Sequence, residues 1–349
     1  MSFSDKILSW YHENKRSLPW RDTVDPYKIW LSEILLQQTR VAQGIPYYYK
    51  FIDTFPKVRD LAKAEEGQVL KLWQGLGYYS RARNLHAASK MVVDDFKGEF
   101  PKTYKDLLKL KGVGDYTASA IASICYNEPQ AVVDGNVYRV LSRYFGVDIP
   151  INSTAGIKYF KKLALEVLHT SNTRDYNQGI MEFGALQCTP QNPNCAVCPL
   201  ANECQALEKG SVKNLPVKIG KAKIKKRYFN YLVPLEHRQS DAVYTQLRQR
   251  KGKGIWQNLW EFPLLETERE VTLQEIETRY SEVLKFKKPP EINLFNTDTI
   301  VHKLSHQHLH TKFWILEGTF FHTDAIDVSN LKNYPVPVLI AEFMNTFKF

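Results

Sequence analysis

Leu110-Lys111-Gly112-Val113-Gly114-Asp115-Tyr116-Thr117-Ala118 sits between two segments of helical pattern. Gly112 and Gly114 let the backbone turn sharply and come close to a ligand. From Thr117 the pattern opens a helix whose free N–H groups and positive dipole end face that turn. Such a device grips a phosphate oxygen without reading base sequence, which makes Gly112 and Gly114 candidate DNA-phosphate contacts. Taken alone, an ordinary glycine-containing turn between helices has the same signature.

Two acidic residues on either side of the hairpin shift the balance. Val132-Val133-Asp134-Gly135-Asn136-Val137 ends an apolar run on a carboxylate, which places Asp134 partly buried near the turn. Upstream, Trp30-Leu31-Ser32-Glu33-Ile34-Leu35-Leu36-Gln37-Gln38-Thr39 puts Glu33 on a helix face with Leu36 and Gln37. An apolar wall beside a carboxyl raises its pKa and makes a general acid. A lone Glu with apolar neighbours is more often a surface residue at a helix edge; the pair is what carries the chemical reading.

Cys188, Cys195, Cys198 and Cys204 follow one another as C-x6-C-x2-C-x5-C. The window is too tight to staple distant parts of a chain with disulfides, and four converging thiolates suit a tetrahedral metal or an iron–sulfur cluster. Structural zinc loops usually pair two C-x2-C knuckles; only one exists here, so [4Fe-4S] is favoured over zinc. Pro190, Pro193 and Pro199 stiffen the loop. Cys125, in the run Ala118–Cys125, reads as a small core residue.

The wider pattern divides the chain. Apolar residues recur at helical intervals to about residue 205, as at Trp30 and Ile34 or Phe160, Leu163 and Val167. A basic stretch follows, from Lys213 through Lys218, Lys221, Lys223, Lys225 and Lys226 to Arg227. Beyond it, Tyr228–Val233 and Phe313–Leu316 read as strands, with a helical pattern Leu273-Ile276-Tyr280-Leu284 between them. The expected domains are a mainly α domain at 1–212, a basic linker at 213–226 and a smaller α+β domain at 227–349. The 349 residues carry 47 Lys+Arg against 37 Asp+Glu, a net charge of +10 that favours a polyanionic partner. There is no apolar run of the roughly 20 residues a membrane span needs, and no secretory signal pattern at Met1–Lys6. A cytoplasmic protein is expected.

The hairpin at 110–118, Asp134 and the cysteine loop together resemble the endonuclease III (helix-hairpin-helix) superfamily of base-excision DNA glycosylases. Within it, residues 30–39, the run Gly75-Leu76-Gly77-Tyr78-Tyr79-Ser80-Arg81-Ala82-Arg83-Asn84 and Val133–Val137 resemble MutY-type adenine DNA glycosylases. The resemblance implies a [4Fe-4S] cofactor on the four cysteines. It implies a duplex DNA partner with 8-oxoguanine:adenine or guanine:adenine mispairs, handled by a bacterial, nucleoid-associated monomer. Glu33 would protonate the adenine and Asp134 would stabilise the oxocarbenium-like sugar. Tyr116 and Asn136 would steady the site. Arg21 and Gln178 would contact the extruded adenine, and Gln38 and Tyr78 would wedge into the stack around 8-oxoguanine.

Lyases of the superfamily carry a Schiff-base lysine at the position of Tyr116, and a phenol cannot form one; base removal without strand cleavage is therefore expected. The second domain resembles the family's Nudix-like recognition domain, through Leu259-Trp260-Glu261-Phe262-Pro263 and the loop His302-Lys303-Leu304-Ser305-His306. Ser305 and His306 are the expected 8-oxoguanine contacts, while Leu304 stands where the family has an aromatic. Glu266, Glu268 and Glu270 lack the arrangement of a magnesium-holding hydrolase, so no pyrophosphohydrolase activity is expected. Two other readings remain: a pyrimidine-lesion glycosylase with lyase activity, and a non-catalytic iron–sulfur DNA-binding protein.

Overall fold

The structure, a computed structural model, describes residues 1–220, 224–238, 242–321 and 324–349. Lys221 and Lys223 of the basic stretch lie outside the described residues. The chain forms two compact units, one of Met1–Lys63 with Asn84–Gly220 and one of Ala64–Arg83 with Lys221–Phe349.

The first unit is helical: α1 (Phe3–Asn14), α2 (Pro26–Leu36), α3 (Val41–Thr54) and α4 (Val58–Lys63) precede the excursion into the second unit. That excursion carries α5 (Glu66–Leu72) and the start of α6 (Ser80–Asp94), which runs back into the first. Then come α7 (Tyr104–Leu107), α8 (Asp115–Tyr126), α9 (Gly135–Tyr144), α10 (Thr154–Glu166), α11 (Thr173–Leu186) and α12 (Gln205–Glu208). At its centre is α8, with Thr117 to Ile124 all buried. Its small residues, Ala118, Ser119, Ala120, Ala122 and Ser123, let α2 and α11 approach closely.

Local chemistry sets the ends of these helices. Asp25 caps α2, with Pro26 at its first position. Gly114 caps α8, which opens at Asp115, two residues before the Thr117 that the pattern indicates, and Asn127 closes it in the left-handed conformation (φ 53°). Trp30 is fully buried, and each side chain of that size contributes about 1.5–3 kcal/mol when withdrawn from water.

The region read as the start of a linker is held to this unit. The Arg143 guanidinium donates to the Leu215 carbonyl at 3.1 Å, and the Ile151 N–H to the Val217 carbonyl at 3.0 Å.

The second unit is built on a mixed sheet of seven strands among the described residues, in the order β6-β8-β1-β2-β9, with β5 also on β1 and β7 also on β8. The strands are β1 (Lys225–His237), β2 (Val243–Thr245), β5 (Leu264–Thr267), β6 (Glu291–Leu294), β7 (Ile300–Lys303), β8 (Gln307–Glu317) and β9 (Ile326–Asp327). β3 (Arg248–Gln249) and β4 (Trp260–Glu261) pair separately. The parallel pair β1–β8, in register Tyr231 to Phe313, is the spine, and Asn230 to Leu235 form a continuous buried run there. Helix α13 (Leu273–Arg279) stops before Tyr280, where the chain tightens into a 3-10 turn; Leu284 still reaches the core. Phe343 of α14 (Val338–Thr346) stacks on Phe313 at 4.1 Å between ring centroids.

Residues 64–83 join this unit through Glu66, which accepts from Asn258 at 2.6 Å, and through Lys71, whose Nζ reaches the Tyr334 carbonyl at 3.1 Å. Among the described residues no helix is long and apolar enough to cross a membrane.

Candidate active site, recognition groove and iron–sulfur loop

Glu33 lies on α2 and Tyr116 on the first turn of α8, two helices that pack together; Asp134 caps α9. Burial pushes the Glu33 carboxyl from 4.5 up to about 7; the hydrogen bond from the Tyr116 hydroxyl opposes the rise and the charge of Asp134 adds to it. The Tyr116 hydroxyl also lies 3.4 Å from the Met181 sulfur, and burial holds its pKa well above the ordinary phenol value. These three groups form one electrostatic cluster.

Asp134 Oδ1 accepts the backbone N–H groups of Asn136 and Val137, each at 2.8 Å, while its Oδ2 accepts from the Asn136 amide at 2.8 Å. Burial still raises its pKa, against the pull of those three donors. Capping explains why the sequence folds this way: a carboxylate satisfies the free N–H groups at the positive end of α9. The segment leading to Asp134 is held by Asn177, which bonds the Val132 N–H and the Gln130 carbonyl, and by Lys161, which donates to the Ala131 carbonyl.

The hairpin gives its two glycines different reasons. Gly112 has φ +75°, and a Cβ there would lie 2.6 Å from the Asn84 side chain. Gly114 has an ordinary extended backbone, and a Cβ there would meet nothing within 4 Å, so its face of the α8 N-terminus is open.

Two basic residues that sequence reasoning passed over lie one turn apart on the buried side of α9. Arg139 donates to Asn136 Oδ1 at 2.9 Å and to the Cys188 carbonyl at 2.6 Å, joining the Asp134–Asn136 pair to the cysteine loop. Arg143 donates to Cys188 Sγ at 3.4 Å and to the Thr189 carbonyl at 2.7 Å. Charged residues inside an apolar helical stripe were the available signal.

Glu182 was also missed. It lies on α11, one turn after the expected adenine contact Gln178, and both are buried. Its carboxylate takes forked bonds from Arg16 (2.8 and 2.6 Å) and from Arg21 (2.9 and 2.7 Å). Burial by itself would raise this carboxyl; the two guanidinium groups overcome that and bring it down to about 2.

The expected wedge residues share a backbone property. Gln38 has φ +56° and Tyr78 φ +46°, the left-handed region that side chains other than Gly, Asn and Asp seldom adopt. Both are exposed. Gln38 belongs to the first unit and Tyr78 to the second. In the second unit the Tyr78 and Ser305 hydroxyls hydrogen-bond to each other, although 227 positions separate them. They line an open groove of about 380 Å³, together with His306, Leu304, Arg83 and Trp256. Trp256, also left-handed at φ +58°, brings an aromatic side chain to the groove that Leu304 cannot supply.

All four loop cysteines are free and partly buried. Burial pushes the Cys198 thiol up to about 11, the Leu200 N–H pulls the other way, and the charges of Cys188, Cys195 and Cys204 all reach it. The donor set therefore fits: four thiols within mutual electrostatic range, facing the fixed cation of Arg143. Among the described residues no three His, Cys, Asp or Glu groups close around a single ion. A four-iron cube spaces its thiolates farther apart than one tetrahedral ion does.

The first unit joins a half-buried carboxyl pair to a glycine hairpin that leads into a central helix, and its class is a helix–hairpin–helix base-excision protein. Residues 31–161 match the family model of the HhH-GPD superfamily base excision DNA repair proteins, residues 188–204 the iron–sulfur binding domain of endonuclease III, and residues 236–346 the NUDIX domain. An adenine DNA glycosylase of Buchnera aphidicola subsp. Schizaphis graminum is 34% identical, covering 99% of this chain and 99% of that protein. The Homo sapiens adenine DNA glycosylase is 34% identical over 87% of this chain and 65% of its own length. The chain belongs to the adenine DNA glycosylase family and carries the iron–sulfur domain of a [4Fe-4S] cluster at residues 188–204. Among solved structures, a thermostable thymine-DNA glycosylase shares 33% identity with a TM-score of 0.56, covering 59% of this chain and 95% of its own. A non-covalent endonuclease III–DNA complex aligns at TM-score 0.52 and 21% identity, over 59% of this chain and 94% of its own, a likeness of fold.

Proposed function

We propose that this protein hydrolyses the N-glycosidic bond of adenine paired with 8-oxoguanine, or with guanine, in duplex DNA, as a monofunctional glycosylase of base-excision repair. The observation that carries the reading is the Glu33 carboxyl, raised to about 7 beside Asp134. A group with that pKa is protonated often enough near neutrality to donate to the leaving base and then serve as the conjugate base. Asp134, fixed by three donors, supplies negative charge to the sugar as positive charge develops there. Tyr116 and Asn136 steady these two carboxylates.

In this reading Arg21 and Gln178 contact the extruded adenine, and Gln38 and Tyr78 wedge into the stack around 8-oxoguanine. Ser305 and His306 contact 8-oxoguanine, and Gly112 and Gly114 approach a backbone phosphate. Cys188, Cys195, Cys198 and Cys204 hold the [4Fe-4S] cluster, which when bound ties the loop together through iron–thiolate bonds. Tyr116 supports a mechanism without strand cleavage, because no amine stands there to attack the sugar. The protein acts as a monomer in the bacterial cytoplasm.

The test is single-turnover adenine release from an 8-oxoguanine:adenine duplex, followed with and without alkali, with thymine:guanine as the control duplex. Strand breaks only after alkali are expected. Breaks without alkali would overturn the monofunctional reading, and thymine release without adenine release would overturn the substrate.

A further inference from the structure

We infer that Glu182 is a positioning residue for base reading, which holds the Arg16 and Arg21 guanidinium groups in one fixed arrangement beside Gln178. The inference rests on the adenine reading above and assigns that pocket a member outside its expected contacts.

Glu182 is 1% exposed, and its two oxygens accept five bonds, the fifth from the Arg16 backbone N–H at 3.0 Å. A buried carboxylate with two forked partners has no freedom to turn. Arg21 is fixed from other directions too: its Nη1 donates to the Arg16 carbonyl at 2.8 Å, and its guanidinium lies over the buried Tyr11 ring at 5.7 Å. Arg174, from the first turn of α11, donates to the Arg21 carbonyl at 3.3 Å. The segment carrying Arg21 is therefore registered on the helix that carries Gln178.

Placement of this kind matters for chemistry. Arg21 is an unbranched side chain with four rotatable bonds, and a guanidinium that wandered would lose its alignment with a base held at Gln178. Two guanidinium groups without Glu182 would also repel each other. With it, one negative charge lies between two positive ones, and the fork presents fixed donors rather than a mobile cation.

A purely structural role, tying residues 15–25 to α11, makes a different prediction. The experiment uses the full-length, iron-loaded protein and compares Glu182→Gln, Arg21→Gln and the double variant in single turnover on the 8-oxoguanine:adenine duplex. If Glu182 acts through Arg21, Glu182→Gln slows adenine release on the order of 100-fold with duplex affinity unchanged. The double variant is then no slower than Arg21→Gln. Multiplied losses in the double variant, or an unchanged rate in a Glu182→Gln protein with lowered melting temperature, would overturn the inference. Arginine side-chain 15N NMR of the wild-type protein gives a readout free of activity. Slow rotation and protected Nε–H signals for Arg16 and Arg21 are expected, and rapid averaging would overturn the clamp even if Glu182→Gln fails to fold. Absence of adenine release by the wild type would instead count against the proposed function.

Discussion

The candidate active site of the first unit and the groove of the second handle polar groups in opposite ways. Glu182 is buried and Glu33 and Asp134 are half-buried, and each is held by partners within the first unit, Asp134 by the helix it caps, so their protonation and direction are set before any ligand arrives. In the groove the candidate groups are hydroxyls and an exposed ring, Ser305 and Tyr78, bonded to each other, with the Arg81 guanidinium over the Tyr78 ring at 5.8 Å. A pocket that must move a proton benefits from a low local dielectric, which strengthens every interaction inside it. One that receives a base benefits from groups that give up one weak bond for another. On the proposed function, that difference means that variants in the first region should change rates and variants in the second selectivity.

The sharpest way to break this comparison is Glu33→Gln. Loss of the proton donor should lower adenine release at least 10²–10⁴-fold, the usual worth of general acid catalysis, without loss of duplex binding. The raised pKa also fixes a pH dependence. With a folded value near 7 against 4.5, the protonated form is the active one, so the single-turnover rate should fall as pH rises through about 7. Stability follows the same sign: the buried carboxyl favours the folded state below 4.5 and loses that contribution as pH rises through about 7. At pH 8, Glu33→Gln should therefore melt no lower than wild type. A lower melting point would mean that the carboxylate is better solvated than its burial implies.

Cys198→Ser should remove the iron–sulfur absorbance and lower the melting temperature of the first unit by about 4–8 °C, as a loss of about two kcal/mol does at this size. Arg139→Gln tests whether the two features share a support. Asn136 and the Cys188 carbonyl would each lose a charged donor, and an orphaned buried acceptor costs about 1–3 kcal/mol. Slower base release together with faster iron loss is expected; a change in only one would separate them. Ser305→Ala has the smallest effect. Adenine release opposite 8-oxoguanine should slow by about fivefold, on the scale of one hydrogen bond, while release opposite guanine stays unchanged.

The candidate carboxyl pair was legible as two acids at element ends and faces because both sit in local patterns: Glu33 on an apolar helix face and Asp134 before a glycine that opens a helix. The cysteines were legible for the same reason, as a spacing within one loop. Glu182 was not. Its partners Arg16 and Arg21 precede it by 166 and 161 positions, and such pairing is decided by the packing of α11 on α1 rather than by anything near residue 182. Residues 64–83 escaped in the same way. Their helical pattern matches the first unit, while Glu66, Lys71 and Tyr79 find their partners beyond residue 250. Nor does composition reveal a left-handed Tyr78, since the backbone there is set by its surroundings and not by the tyrosine.

That backbone angle constrains which descendants of this gene can survive. At Tyr78 the φ of +46° excludes valine, isoleucine and threonine on steric grounds before any question of stacking arises, and the same holds at Gln38. A saturation library at these two positions should therefore be depleted of β-branched residues even under selection for folding alone. Asparagine and glycine should survive that first filter and disappear only when mutation rate is selected.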